Sequence, residues 1–194
     1  NLSHSQTQLS QQRLRQAGFT QQAEQCVQGS NTKLLKWASR SLSASPTKIL
    51  ALDCAYHFAD RQQFLIDSYA LLEPKGKLVL CDLLLDERSI SFKNKLVLKA
   101  LCRLCNIPYK NLLKQADYLA RCETLGFDIT DYIDLTDRVF LPFGEWLQAY
   151  RQQHAEQQLR WGKYRGTAWF LRWAKQQGIL RYVVINLFKP QAIT

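Results

Sequence analysis

The stretch KILALDCAYHFADRQQFLIDSYALLEPKGKLVLCDLLL, residues 48–85, decides the fold. It opens on an apolar run, KILALDCA, that reads as a buried strand. Asp60 stands where a carboxylate can accept from the free N–H groups of a first helical turn, and the pattern stays helical through Leu72. Glu73-Pro74-Lys75-Gly76 turns the chain into a second apolar strand, KLVLCDLLL. Strand, helix and strand joined by turns this short read as a parallel sheet with a crossover helix, so the expected class is α/β and doubly wound. In such a sheet ligands bind beyond the carboxyl ends of the strands. The first strand ends in LDCAYHF, residues 52–58, which puts a carboxylate, a thiol, a phenol and an imidazole at one strand tip.

The same reading extends outward. Ser3-His4-Ser5-Gln6 fits a capping box and predicts a helix over 5–17, ended by Gly18. EQCVQG (24–29) reads as a short strand, residues 32–42 as a helix, and SLSASPTK (41–48) as a loop. Downstream, helices over 91–105 and 108–125 are parted by Asn106-Ile107-Pro108, and FDITDYIDLT (127–136) alternates as a strand. Residues 143–177 are helical and rich in Trp and Tyr; LRYVVINLFKP (180–190) is a final strand ended by Pro190. A chain of 194 residues, 46% hydrophobic, fits one domain over 1–194. The absence of Met, and an opening inside what reads as a strand-to-helix junction, lead us to expect an excerpt lacking upstream residues.

No apolar run approaches the roughly 20 residues of a membrane span, and the N-terminus lacks the apolar core of a signal peptide. A cytoplasmic protein is therefore expected. Six scattered cysteines in apolar contexts fit reduced thiols. Cys102-Arg-Leu-Cys105 has CxxC spacing, but with no second pair and no nearby His it does not complete a zinc site, and no metal is expected. The net charge of +10 is segregated: residues 93–121 carry seven basic groups and one acid, whereas 122–144 are acidic. Such a field attracts nucleic acid, an anionic membrane surface or an acidic ligand, although a solvated helix face is its commonest origin.

Taken in order, NLSHSQ, VQGSN, LALDCAYHF, LLEPKGKLVLCD, LGFDI and YVVINLFKP resemble the motifs of class I S-adenosylmethionine-dependent methyltransferases across essentially the whole chain. NLSxxQ and AYHF look like the small-molecule and lipid members related to cyclopropane fatty acid synthases and to sterol, tocopherol and polyketide methyltransferases. The resemblance implies a Rossmann-like sheet whose last strand is antiparallel, with substrate-lid helices at about 91–125 and 143–177. It also implies that the first strand and its Gly-rich loop lie upstream of residue 1, so that this fragment alone is expected to be inactive. Lys75 stands where the family has the first glycine of its turn.

Carried over residue by residue, the resemblance implies cofactor contacts at Asn1, Leu2, Ser3 and Gln6 for ribose and methionine, at Ser30 and Asn31 for adenine, and at Leu52 and Asp53 beside the first strand tip of the quoted stretch. Ser3 and Ser30 could equally be helix caps. Tyr56 and His57 would face the substrate, Tyr56 orienting it and His57 acting as base. An imidazole can take a proton at neutral pH, but a histidine bonded to a backbone carbonyl in the core is the plain alternative. Cyclopropane-forming relatives carry Glu at the position of Tyr56, so its loss points to ordinary methylation of O, N or activated C.

The expected function is methyl transfer from S-adenosylmethionine to a small, lipophilic acceptor, lipid or aromatic. The aromatic and basic segment 143–177 also suits peripheral membrane contact, although helical spacing such as Trp169 with Trp173 is commonly packing. A nucleic-acid-binding or RNA methyltransferase module is the first alternative, and lacks the Asn or Asp-Pro-Pro-Tyr type motif of base-amino methyltransferases. A catalytically silent relative is the second. The oligomeric state is not legible.

Overall fold

The computed structural model describes residues 3–88, 90–154 and 161–191. The chain divides into two compact units, Asn1–Ser45 and Pro46–Thr194.

The first unit is helical. Ser3 caps α1 (His4–Gln16), its Oγ accepting from Gln6 N at 3.3 Å, and Gly18 follows at φ +84°, a conformation glycine adopts without strain. The short strand expected at EQCVQG does not form: the chain is helical over α2 (Thr20–Gln25) and irregular beyond it. Gln, Ala and Glu favour that helix, and no strand among the unit's described residues offers a ladder to pair with. The Cys26 carbonyl is instead satisfied by Gln11 Nε2 at 2.7 Å. A 3₁₀ turn, Asn31–Lys33, leads into α3 (Leu34–Ser41).

The second unit carries the sheet. Its elements are β1 (Lys48–Leu52), α4 (Arg61–Leu71), β2 (Lys77–Leu85), α5 (Phe92–Leu104), α6 (Gln115–Thr124), β3 (Asp128–Asp134), α7 (Thr136–Gln153), α8 (Trp161–Gln176) and β4 (Leu180–Phe188). The strand order is β1-β2-β4-β3, with β1 and β2 parallel and β4 antiparallel to both of its neighbours, as expected of the last strand. Asp60 caps α4 by accepting from Gln63 N at 2.9 Å. At the turn before β2, a Cβ on Gly76 would sit 2.9 Å from the Glu73 carbonyl, so glycine is required there. Lys75 takes φ +68°, the left-handed conformation that glycine would hold more cheaply.

One face of the two central strands is fully buried: Leu78, Leu80 and Leu84 of β2 and Val183, Ile185 and Leu187 of β4 are all 0% exposed. The strand β1 departs from the expected burial, since only Ala51 is buried while Leu50 and Leu52, on the opposite face, are 62% and 59% exposed. Alternation along the strand puts Leu50 and Leu52 on the face opposite Ala51.

Two helix boundaries also differ from expectation. Residues 108–125 split into a 3₁₀ turn, Tyr109–Asn111, and α6, because Leu113 O accepts from Leu85 N at 2.8 Å and pulls the backbone out to extend the sheet. Helix α7 begins seven residues early and runs through Pro142, its lost bond offset by burial of Phe140 and Leu147. Among the described residues no helix is long and apolar enough to cross a membrane.

Asp86, just after β2, ties three strand ends together. It accepts from Arg88 Nε at 3.0 Å and from Arg181 Nε of β4 at 2.7 Å, and Arg181 Nη1 reaches Asp134 of β3 at 2.7 Å. Burial would raise the Asp86 carboxyl, but the bonds from Arg88 and Arg181 prevail and hold it down to about 2, below its ordinary 3.8. A depressed carboxyl stabilises the fold above its ordinary value, and that contribution is lost as pH falls toward about 2. Urea midpoints should therefore drop between these two pH values, and Asp86→Asn should flatten that drop; an unchanged profile would contradict the assignment.

Candidate active site

Beyond the carboxyl end of β1 the backbone breaks from the strand at Asp53, whose N–H still donates to Cys81 O at 3.1 Å while its φ is +53°. This left-handed step turns the chain into a 3₁₀ turn, Ala55–His57, and brings Asp53, Tyr56 and His57 to one wall of a cavity of about 630 Å³. The remaining walls are overwhelmingly apolar and come from α5 (Leu101, Leu104), α7 (Phe140, Phe143) and α8 (Trp169, Phe170). Two glycines of α8, Gly162 and Gly166, line it as well, and a Cβ on either would meet nothing within 4 Å. Glycine inside a helix costs about 1 kcal/mol relative to alanine, and here it leaves room in the cavity.

The turn is positioned from beneath by a buried ion pair. Arg61, 3% exposed, places Nε 3.2 Å from Asp82 Oδ2, and Asp82 is 0% exposed in the middle of β2. The guanidinium lies 3.7 Å from the centre of the Tyr118 ring. Arg61 Nη1 donates to Asn111 O at 2.6 Å, and Asn111 Nδ2 donates to the carbonyls of Tyr56 at 3.0 Å and Phe58 at 2.7 Å. Residues on either side of His57 are thus pinned through one asparagine. Sequence reasoning missed Asn111 and Arg61; the Asn106-Ile107-Pro108 break marked the neighbourhood but not the contact.

At the tip, Tyr56 Oη donates to Asp53 Oδ1 at 2.6 Å, and the Tyr56 ring is buried against His57, with ring centres 4.4 Å apart. Burial, then the Asp53 hydrogen bond, raise the Tyr56 phenol; burial and the same carboxylate raise that of Tyr182, which also lines the cavity. Burial likewise raises the Cys54 and Cys81 thiols. These phenols and thiols therefore stay protonated at neutral pH. His57 is exposed and its Nδ1 lies 3.1 Å from Asn106 O. A carbonyl only accepts, so Nδ1 carries the proton and, in the neutral ring, Nε2 holds the lone pair. Its partner is a backbone carbonyl, yet the ring is not in the core.

The other candidates divide between the units. Leu52 and Asp53 belong to the second, where Asp53 lines the cavity and Leu52 is exposed. In the first, Ser3 and Ser30 cap their turns, Ser30 Oγ accepting from Thr32 N at 3.3 Å, and Gln6 is exposed. Asn31 Nδ2 is buried there without a hydrogen-bond partner, a donor left open. Asn1 and Leu2 lie outside the described residues. Among the described residues no three metal-ligating side chains cluster, and burial pushes the Cys102 thiol of the CxxC pair up to about 12.

No family model matches the chain, and no curated protein matches it in sequence. Solved structures do match. A protein from Galdieria sulphuraria, described as a sarcosine dimethylglycine methyltransferase, gives a TM-score of 0.75 at 12% identity over 98% of this chain and 68% of its own. A geranyl diphosphate methyltransferase in complex with S-adenosylmethionine gives 0.65 at 14% identity, over 97% of this chain and 66% of its own. A cyclopropane synthase from Mycobacterium tuberculosis gives 0.61 at 17% identity, over 77% and 57%. The chain thus spans about three fifths to two thirds of the length of these proteins. The likeness is one of fold: the chain is similar in architecture to solved S-adenosylmethionine-dependent methyltransferases, as the motif order implied.

Removing one member of a buried ion pair leaves the other charge unpaired, at a cost of about 3–5 kcal/mol. Arg61→Met should destabilise the protein on that scale in urea unfolding, and Arg61→Met with Asp82→Leu should recover much of the loss. A small effect of the single variant would show that Asn111 does not depend on Arg61.

Proposed function

We propose that the chain is part of a methyltransferase that moves a methyl group from S-adenosylmethionine to a small, lipophilic acceptor bound in the cavity beside His57. The observation that carries this reading is the cavity's composition. Its walls are mostly apolar, and at the strand tip they present an imidazole bonded through Nδ1 to Asn106 O and a carboxylate already engaged by Tyr56. The fold likeness supports the cofactor, since one similar structure was solved with S-adenosylmethionine. Bound there, S-adenosylmethionine supplies an electrophilic methyl group for in-line displacement.

The chain's own residues do the rest. The orphan donor of Asn31 and the hydroxyl of Ser30 suit an adenine edge, while Ser3 and Gln6, and separately Leu52 and Asp53, are the proposed contacts for the remainder of the cofactor. Apolar walls orient the acceptor, and alignment of this kind lowers the barrier by removing translational and rotational freedom. His57 Nε2 takes the proton that the acceptor atom releases. Asn106 O, by holding the Nδ1 proton, fixes that tautomer. Tyr56 keeps Asp53 in place rather than donating to the acceptor.

The test begins with S-adenosylhomocysteine, titrated by calorimetry into the protein expressed from its complete reading frame. Saturable binding supports the reading; no binding by the folded protein removes it. With an acceptor identified by screening, His57→Ala should lower turnover about 10²- to 10⁴-fold, the usual worth of a general base. Cofactor affinity and unfolding midpoint should hardly move, because the ring is exposed. Loss of folding would instead show a structural histidine.

A further inference from the structure

We infer that the outer face of α5, continued by the rim of the cavity, docks on an anionic lipid bilayer. The helix FKNKLVLKALCRL holds four basic residues and no acid. Its inner side is fixed by Leu98 and Cys102, both buried. Residues four apart stack into a row on a helix, and the outer side carries two such rows. Phe92, Leu96, Ala100 and Leu104 make an apolar row; Lys95, Lys99 and Arg103 make a basic row beside it, with Lys93 on the other flank. Phe92 is 75% exposed, Leu96 53% and Leu104 77%. A single exposed leucine is ordinary, but an ordered apolar row edged by cations is the pattern of a helix lying in a membrane interface.

The row ends at the cavity. Leu104 lines it together with Leu101 and Cys105, and across the mouth Trp169 of α8 lines it too while remaining 56% exposed. Trp169 stacks on Trp173 with ring centres 6.4 Å apart, so its indole is held at the rim. Indoles favour the headgroup level of a bilayer, and Lys163 stands at the same rim. Charge selects the occupant: a second copy of this face would set its cations against each other, whereas anionic headgroups neutralise them. Docking by itself needs no methyl transfer. That an acceptor passes from the bilayer into the cavity past Leu104 and Trp169 rests on the function proposed above.

The experiment is co-sedimentation with vesicles of phosphatidylcholine alone and of phosphatidylcholine mixed equally with phosphatidylglycerol, without cofactor or acceptor. Binding to the mixed vesicles should exceed that to neutral ones by about tenfold or more and weaken with salt. Phe92→Asp with Leu104→Asp, and separately Lys95→Glu with Lys99→Glu, should each reduce it by at least about tenfold. Equal binding to both vesicle types, or none, overturns the proposal. So does full retention by Phe92→Asp/Leu104→Asp, which would mark a site for polyanions such as RNA. Should a variant misfold, the unaltered protein still decides: brominated phosphatidylglycerol should quench its tryptophan emission. Because S-adenosylhomocysteine binding is measured separately, failure of docking and failure of the enzymatic reading are told apart.

Discussion

Arg61 and Asp82 are the pair on which the rest of the second unit depends. A guanidinium and a carboxylate removed from water are each costly, and the structure accepts that cost where two helices, a strand and the candidate site meet. Arg61 arrives from the first turn of α4, Asp82 from the middle of the buried face of β2, and Tyr118 of α6 lies over the guanidinium and donates to Asp82 at 3.4 Å. Leu83 N adds a bond to Asp82 at 2.9 Å. Burial pushes the Asp82 carboxyl up and Arg61 pulls it down, so losing either partner would upset both. An apolar pair could pack as well, but it could not reach out to the backbone of the 108–113 segment as Arg61 Nη1 does.

That reach explains why the strand tip is so polar. The Ala55–His57 turn follows a left-handed aspartate, with no regular ladder to hold it. Asn111 satisfies the carbonyls of Tyr56 and of Phe58 just beyond the turn, and Arg61 in turn holds Asn111. The phenol of Tyr56 is spent on Asp53, and the imidazole of His57 spends one nitrogen on Asn106. Of the chemistry concentrated in LDCAYHF, most goes into making the tip rigid. What is left at the cavity wall is the second nitrogen of the His57 imidazole, beside a mostly apolar lining.

The sheet was legible because its signals are local. KLVLCDLLL and LRYVVINLF declare themselves by apolar continuity, and the Asp60 and Ser3 caps by residue type and position. EQCVQG failed because a strand is a relation between two segments, and its residues favour helix when no partner is at hand. Helix α7 hid behind Pro142, whose local cost is outweighed by the burial of Phe140, a quantity no window of sequence contains. In the site, Asp53, Tyr56 and His57 could be found from their strand-end position, but Asn106 and Asn111 could not. Their bonds to His57 and Tyr56 span 49 and 55 residues, and nothing in an isolated asparagine announces such a partner.

The same distinction governs α5. Its outward rows are readable from spacing alone once the inner side is known, yet the sequence leaves open which side faces in, since Leu98 and Leu96 are alike as residues. The structure breaks that tie by burying Leu98 and Cys102 and leaving Phe92, Leu96 and Leu104 to solvent. The helix therefore does two jobs with two sets of leucines. Leu98 holds the helix to the core, Leu101 walls the cavity, and Leu104 both walls it and stands in the open. Leu104 thus belongs to the cavity wall and to the outer surface at once, with Arg103 of the basic row next to it in the chain.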